Sequence, residues 1–209
     1  MIMAVITFRV DCLDYEGGCW RLFSAGSGTD LLRLSYAVLA SFGADGSHML
    51  EMRAAGERFV LFDEDDAAGM IRIGRGLPGE GYETYLLEDT RLGDVAEEGS
   101  ELKLLYDFSL GHAFAFRFLS RDPGEADSAF RVLDGEGRGI LEETSPKDEK
   151  EAYRARLTLG KCLLRDAAGE EWDPLDAGRG LDTEDVLARA ARMTADFYDD
   201  DALKNIKET

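Results

Sequence analysis

"ELKLLYDFSLGHAFAFRFL", residues 101–119, alternates along both arms of a short break, and its reading decides the fold. In the first arm Leu102, Leu104, Tyr106 and Phe108 share one side of an extended chain; in the second His112, Phe114, Phe116 and Phe118 do. The "SLG" between the arms predicts a tight hairpin whose two aromatic faces line one core. His112, one of only two histidines, shares the phenylalanine face, so it reads as a hydrogen-bonded scaffold residue before a reactive one. Asp107 falls on the opposite side at the strand end, where a carboxylate can accept amide hydrogens from the turn.

Working toward the N-terminus, "VITFRVDCL" places Ile6, Phe8, Val10 and Cys12 on one face of a half-buried strand, and "EGG" (Glu16 to Gly18) breaks it. A second strand follows at "CWRLF". Thr29 or Asp30 then caps a helix in which Leu31, Leu34, Val38 and Phe42 recur at helical spacing, and Gly43 stops it. Two strand-like runs flank "AAG" in "SHMLEMRAAGERFVLF", which predicts a hairpin turning near Gly56. The acidic, glycine-rich stretch from Asp63 to Asp94 reads as loops and edge strands.

Toward the C-terminus, "SAFRVLD" predicts a strand leading into the loop "GEGRG". Helix takes over beyond Ser145, first across a charged segment from Lys147 to Leu164. After "EEWDPLD", Asp182 or Thr183 caps a last helix striped by Val186, Ala190, Met193 and Phe197. The expected architecture is α+β: a roll-like, mixed but mainly antiparallel sheet packed by an early helix. A core domain over residues 1–144 is expected to carry a helical C-terminal extension over 145–209.

Composition limits function. The 209 residues carry 43 acids against 24 Lys and Arg, a formal charge of −19 that repels nucleic-acid phosphates and anionic membrane surfaces. The acids are spread along the chain, with short runs only at Asp63 to Asp66 and Asp199 to Asp201, so solubility is their plainest meaning. Three cysteines, Cys12, Cys19 and Cys162, form no CxxC pair and imply neither a disulfide framework nor a structural zinc motif. The alternating "MIMAVITFRV" is a strand and not a signal peptide, no apolar run reaches membrane-spanning length, and a reducing cytoplasm is the expected compartment.

The order of the pieces "CWRLF", "TDLLRLSYAVLASFG", "SHMLEM", "RLGDV", "LKLLYDF", "DGEG" and "EWDPLD" resembles the family named after open reading frame three of an Ri plasmid, which includes passenger proteins of insertion elements. The likeness covers roughly residues 4–143. It implies an α+β roll, a link to mobile elements and no established reaction. This chain departs from the family pattern at the polar positions. Leu50 stands where the family has a second histidine after the one matching His48. Ser109, Leu110, Gly111, His112 and Phe114 replace a glycine, two acids, a tryptophan and a histidine. If those polar residues make a site in the family, this chain has lost much of it.

Candidate catalytic residues are His48 with Asp107, and Glu51 or Asp45 as further acids able to tune the imidazole. Set against this is a histidine that satisfies its nitrogens at a strand start. "GRGLPG", Gly74 to Gly79, spells a dinucleotide fingerprint, but Pro78 and "EGYETYLL" follow where a helix must begin, so the match is accidental. "DGEGRG", Asp134 to Gly139, lacks the spacing of a calcium loop and reads as a solvated turn. Cys19 beside Arg21 is a small buried hydrophobe sooner than a reactive thiol. No cofactor and no metal centre is expected. The leading expectation is a non-enzymatic interaction or accessory module that binds a protein partner; the alternative is a hydrolase of unassigned substrate using His48 and Asp107.

Overall fold

The structure is a computed structural model that describes residues 3–61, 83–125, 128–176 and 181–199. The acidic run Asp63 to Asp66 and the glycine motif Gly74 to Gly79 lie outside the described residues, as does the Phe197 side chain. In chain order come strands β1 (Ala4–Cys12) and β2 (Trp20–Gly26), helix α1 (Leu31–Ser41), strands β3 (Leu50–Ala54), β4 (Glu57–Val60) and β5 (Glu83–Leu86), and helix α2 (Leu92–Val95). Strands β6 (Glu101–Tyr106), β7 (His112–Pro123) and β8 (Arg131–Glu136) follow, then helix α3 (Pro146–Leu159), strands β9 (Leu164–Arg165) and β10 (Glu171–Trp172), and helix α4 (Thr183–Asp199).

The opening stretch forms the β6–β7 hairpin, with Leu102 opposite Phe116, Leu104 opposite Phe114 and Tyr106 opposite His112. It sits mid-sheet in an eight-stranded order β5-β4-β3-β6-β7-β1-β2-β8, antiparallel throughout except for the parallel β4–β5 edge. Alternation explains the core: Phe8 and Val10 of β1 face the same side as Phe114, Phe116 and Phe118, and Phe8 packs 5.4 Å from Phe23 and 5.8 Å from Phe116, centroid to centroid. The fold is α+β, as the patterning implies.

Helix α1 is capped by Asp30, whose carboxylate accepts from the Arg33 amide at 2.8 Å, and all of its residues but Arg33 are buried. A helix buried on nearly every side needs cover on both faces. The sheet supplies one, and α4 supplies the other with Val186, Ala190 and Met193. Thr183 accepts from the Val132 amide and Arg189 donates to the Ala44 carbonyl, so the C-terminal helix folds back on its own chain.

Local differences from the patterning have plain causes. Asp107 adopts φ +52°, which ends the alternation at Tyr106 and swings Phe108 into the turn, half-buried and off the core face. Helix α3 stops at Leu159 instead of reaching Leu164, because Gly160 takes φ +65° and returns its N–H to the Arg156 carbonyl. Strand β8 begins at Arg131 and runs through Glu136, so the expected "GEGRG" loop is partly strand, held by pairing of Gly135 and Glu136 with Arg21 and Trp20.

Candidate functional site

His48 precedes β3 and is the centre of an acidic cluster. Its Nε2 lies 3.8 Å from Asp107 Oδ2, 3.9 Å from Glu142 Oε2 and 3.5 Å from Glu143 Oε1. The Tyr106 hydroxyl is 3.0 Å from Glu142 Oε1 and 3.2 Å from Asp45 Oδ1, and its ring stands edge-on to His48. The Asp45 amide donates to Glu142 Oε1 at 2.7 Å. The cluster thus ties the loop after α1, the start of β3, the β6–β7 turn and the loop before α3.

Each acid there has its own environment. Asp107 Oδ1 accepts from the Ser109 hydroxyl at 2.5 Å, from the Ser109 amide at 3.0 Å and from the Leu110 amide at 3.3 Å. Burial pushes its carboxyl up, yet those donors prevail and hold it below the usual carboxylate range. Burial raises Glu142 above that range. Although the His48 ring is partly exposed, its Nε2 and Glu142 Oε2 are sealed from solvent and make no hydrogen bond. Chemically the arrangement is an imidazole enclosed by carboxylates, with its ring nitrogen aimed at acids.

Of the residues the sequence singles out with His48, the structure brings Asp107 to it but not Glu51. Alternation turns Glu51 away from Leu50 and Met52, and it is buried with its carboxylate engaged by Arg53 and, at 2.7 Å, by Arg58. It is a sheet-face ion pair and not a partner of His48. Glu142 and Glu143 went unseen because "ILEETSP" carries no periodic signal and meets β3 only through tertiary packing.

A second polar cluster is buried. His112 is inaccessible, its Nδ1 lies 2.9 Å from Asp14 Oδ2, and its Nε2 has no hydrogen-bond partner. Asp14 sits on a one-turn 3-10 helix (Leu13–Tyr15). Glu149, from α3, accepts from the Tyr15 hydroxyl at 2.9 Å and from the Leu141 amide at 2.5 Å. Burial raises its carboxyl to about 9. His112 is therefore a buried, hydrogen-bonded residue in the place the alternation gives it, opposite Tyr106 across the hairpin but bonded to Asp14 and not to the acids around His48.

Cys12 and Cys19 are buried side by side; burial pushes the Cys12 thiol up, while the Cys12 hydrogen bond lowers Cys19. Neither sulfur is accessible, so neither is a nucleophile for an external substrate. The neighbouring Arg21 is spent on structure, donating to the carbonyls of Ser41, Trp20, Glu136 and Gly137.

Next to the His48 cluster, a cleft of about 620 Å³ is lined by the acids Glu142, Glu143 and Asp166 and by Arg138, Arg165, Arg189 and Trp172. The Arg138 guanidinium lies 5.4 Å over the Trp172 ring. Arg138 and Arg189 are half-buried and, among the described residues, pair with no carboxylate. In a chain of net charge −19 that is unusual, since acids to pair with are abundant.

No family model matches this sequence, and no curated protein does. Among solved structures, the fold is similar to that of MM3350, a protein of unknown function from Methanosarcina mazei Go1, with a TM-score of 0.63 and 14% identity over 88% of this chain and 97% of that one. At this identity the likeness establishes the shared fold alone. Among the described residues no helix is long and apolar enough to cross a membrane.

Proposed function

We propose that this chain is a cytoplasmic, non-enzymatic interaction module whose cleft receives a carboxylate presented by a protein partner. The observation that carries the reading is the pair of half-buried arginines, Arg138 and Arg189, that face one cleft and, among the described residues, ion-pair with none of the acids that share it. A guanidinium fork matches a carboxylate, and the bond strengthens in a partly desolvated cleft. A protein is favoured as the bearer of that carboxylate because Leu157, Leu159 and Leu163 are 57%, 68% and 54% exposed just before Arg165 in the chain. The overall negative charge opposes nucleic acid as the partner. An accessory role in mobile elements rests on the likeness to the Ri-plasmid open-reading-frame-three family and is part of the proposal.

The second reading is a hydrolase using His48 as general base with Asp107, favoured by the carboxylates around His48 Nε2. Against it, that nitrogen is sealed from solvent. A general base must reach the proton it removes.

The test is binding to an array of peptides with free C-terminal carboxylates beside their amidated counterparts. Wild type should retain a subset of the free-carboxylate peptides, and the Arg138→Gln/Arg189→Gln double variant should lose them by at least tenfold. Equal retention of amidated peptides, or no loss in the double variant, sinks the reading. Turnover of a chromogenic ester panel that disappears in His48→Gln would favour the hydrolase instead.

A further inference from the structure

We propose that Asp14, His112 and Glu149 form a structural zinc site that fastens α3 to the sheet. The three side chains come from the 3-10 turn, the first residue of β7 and α3, and one ligand atom from each lies within 4.8 Å of the others. Tetrahedral zinc bonded at about 2.0–2.2 Å to nitrogen and oxygen holds its donors about 3.3–3.6 Å apart. Small side-chain rotations close the difference. His112 Nδ1 and Asp14 Oδ2, now 2.9 Å apart, need to part by only about half an ångström to become one edge of such a shell.

Two further observations point the same way. All three side chains are withdrawn from water, with His112 and Glu149 at 0% and Asp14 at 6% exposure, and polar groups held there need partners within the protein. Among the described residues, neither Asp14 nor Glu149 has a Lys or Arg partner, and the nearby Arg21 is committed to backbone carbonyls. A divalent cation balances two carboxylates with a neutral imidazole, and one nitrogen with two oxygens is a donor set zinc accepts. Cys12 donates to Asp14 Oδ2 at 3.7 Å and Tyr15 to Glu149, which supplies the outer hydrogen bonds that orient metal ligands. The site is enclosed, so its three protein donors would leave the fourth zinc position to a trapped water, and its role is structural. Asp14 and His112 stand 98 positions apart, which is why no spacing motif announces them.

The experiment uses the full-length protein dialysed against EDTA and then titrated with zinc chloride, with metal content read by mass spectrometry and stability by thermal melting. About one tightly held equivalent and a melting temperature that falls on stripping and recovers on reloading are expected. Cobalt reloading should give visible bands of nitrogen and oxygen ligation, without an intense sulfur charge-transfer band. Glu149→Gln should weaken zinc binding beyond the roughly 10–100-fold that loss of an outer partner costs, whereas His48→Gln should leave it unchanged. If Glu149→Gln fails to fold, the wild-type stoichiometry and cobalt spectrum still decide. Stripped protein that takes up less than a tenth of an equivalent with no melting shift, or zinc lost in His48→Gln but kept in Glu149→Gln, overturns the proposal.

Discussion

Arg21 is the side chain whose removal tests the packing logic most sharply. It is fully buried, lies 4.7 Å over the Phe42 ring, and makes four hydrogen bonds to carbonyls, at 3.1 Å to Ser41, 2.8 Å to Trp20, 2.7 Å to Glu136 and 2.8 Å to Gly137. Those carbonyls belong to the end of α1, to β2 and to the end of β8 with its following turn, so one guanidinium closes a corner of the molecule. Each charge-assisted bond contributes roughly 1.5–3 kcal/mol. Arg21→Met removes all of them but also relieves the desolvation of a buried charge, itself several kcal/mol. The net loss should be roughly 3–5 kcal/mol. For a chain of this size that lowers the melting temperature by roughly 6–20 °C. Arg21→Lys should lose nearly as much, because an ammonium cannot span carbonyls arrayed around a planar fork. Thermal melting followed by tryptophan fluorescence measures both variants. An Arg21→Lys protein that melts with wild type, or a drop below about 2 °C for Arg21→Met, would show that the corner is held by apolar packing instead.

Asp107→Asn keeps a residue type that tolerates φ +52° but removes the carboxylate that Ser109 and Leu110 donate to. Because the folded-state pKa is held below its ordinary value, the stabilisation is present above about pH 3.9 and is lost as pH falls through the folded value. The melting gap between wild type and variant should therefore be full at pH 7 and close at lower pH; a gap independent of pH refutes the assignment. Gly139→Ala should destabilise by more than the roughly 1–3 kcal/mol of backbone strain alone, since φ is +107° and a Cβ would sit 2.0 Å from the Phe42 carbonyl oxygen. Gly111→Ala, at φ +86° but in open space, should cost only roughly 1–2 kcal/mol; equal urea midpoints for the two would refute this. Met193→Ala should cost roughly 2–5 kcal/mol, because Met193 is 6% exposed and packs against Gly46; an unchanged urea midpoint would mean α4 does not dock on its own chain in solution.

Much of the architecture is set by local chemistry. The alternation of β1, β6 and β7 shows itself because side chains of a strand point to opposite faces with a period of two. Helix α1 is legible from its Asp30 cap and from Gly43, which takes φ +87°. The place of His112 among phenylalanines follows from the same period, and so does the clamp of Asp107 on its turn. Pairing at long range does not follow. Glu51 looks equivalent to Asp107 as a companion of His48, yet strand alternation and the β3–β4 register hand it to Arg58. Glu142 reaches His48, and Glu149 reaches His112 and Asp14, only once α3 and the loop before it are folded against the sheet. By itself the sequence determined the long strands, the helices α1, α3 and α4 and which faces are apolar, because those depend on neighbours a few residues away. Only the tertiary structure decided which buried charges meet, because that depends on register and packing between segments far apart in the chain.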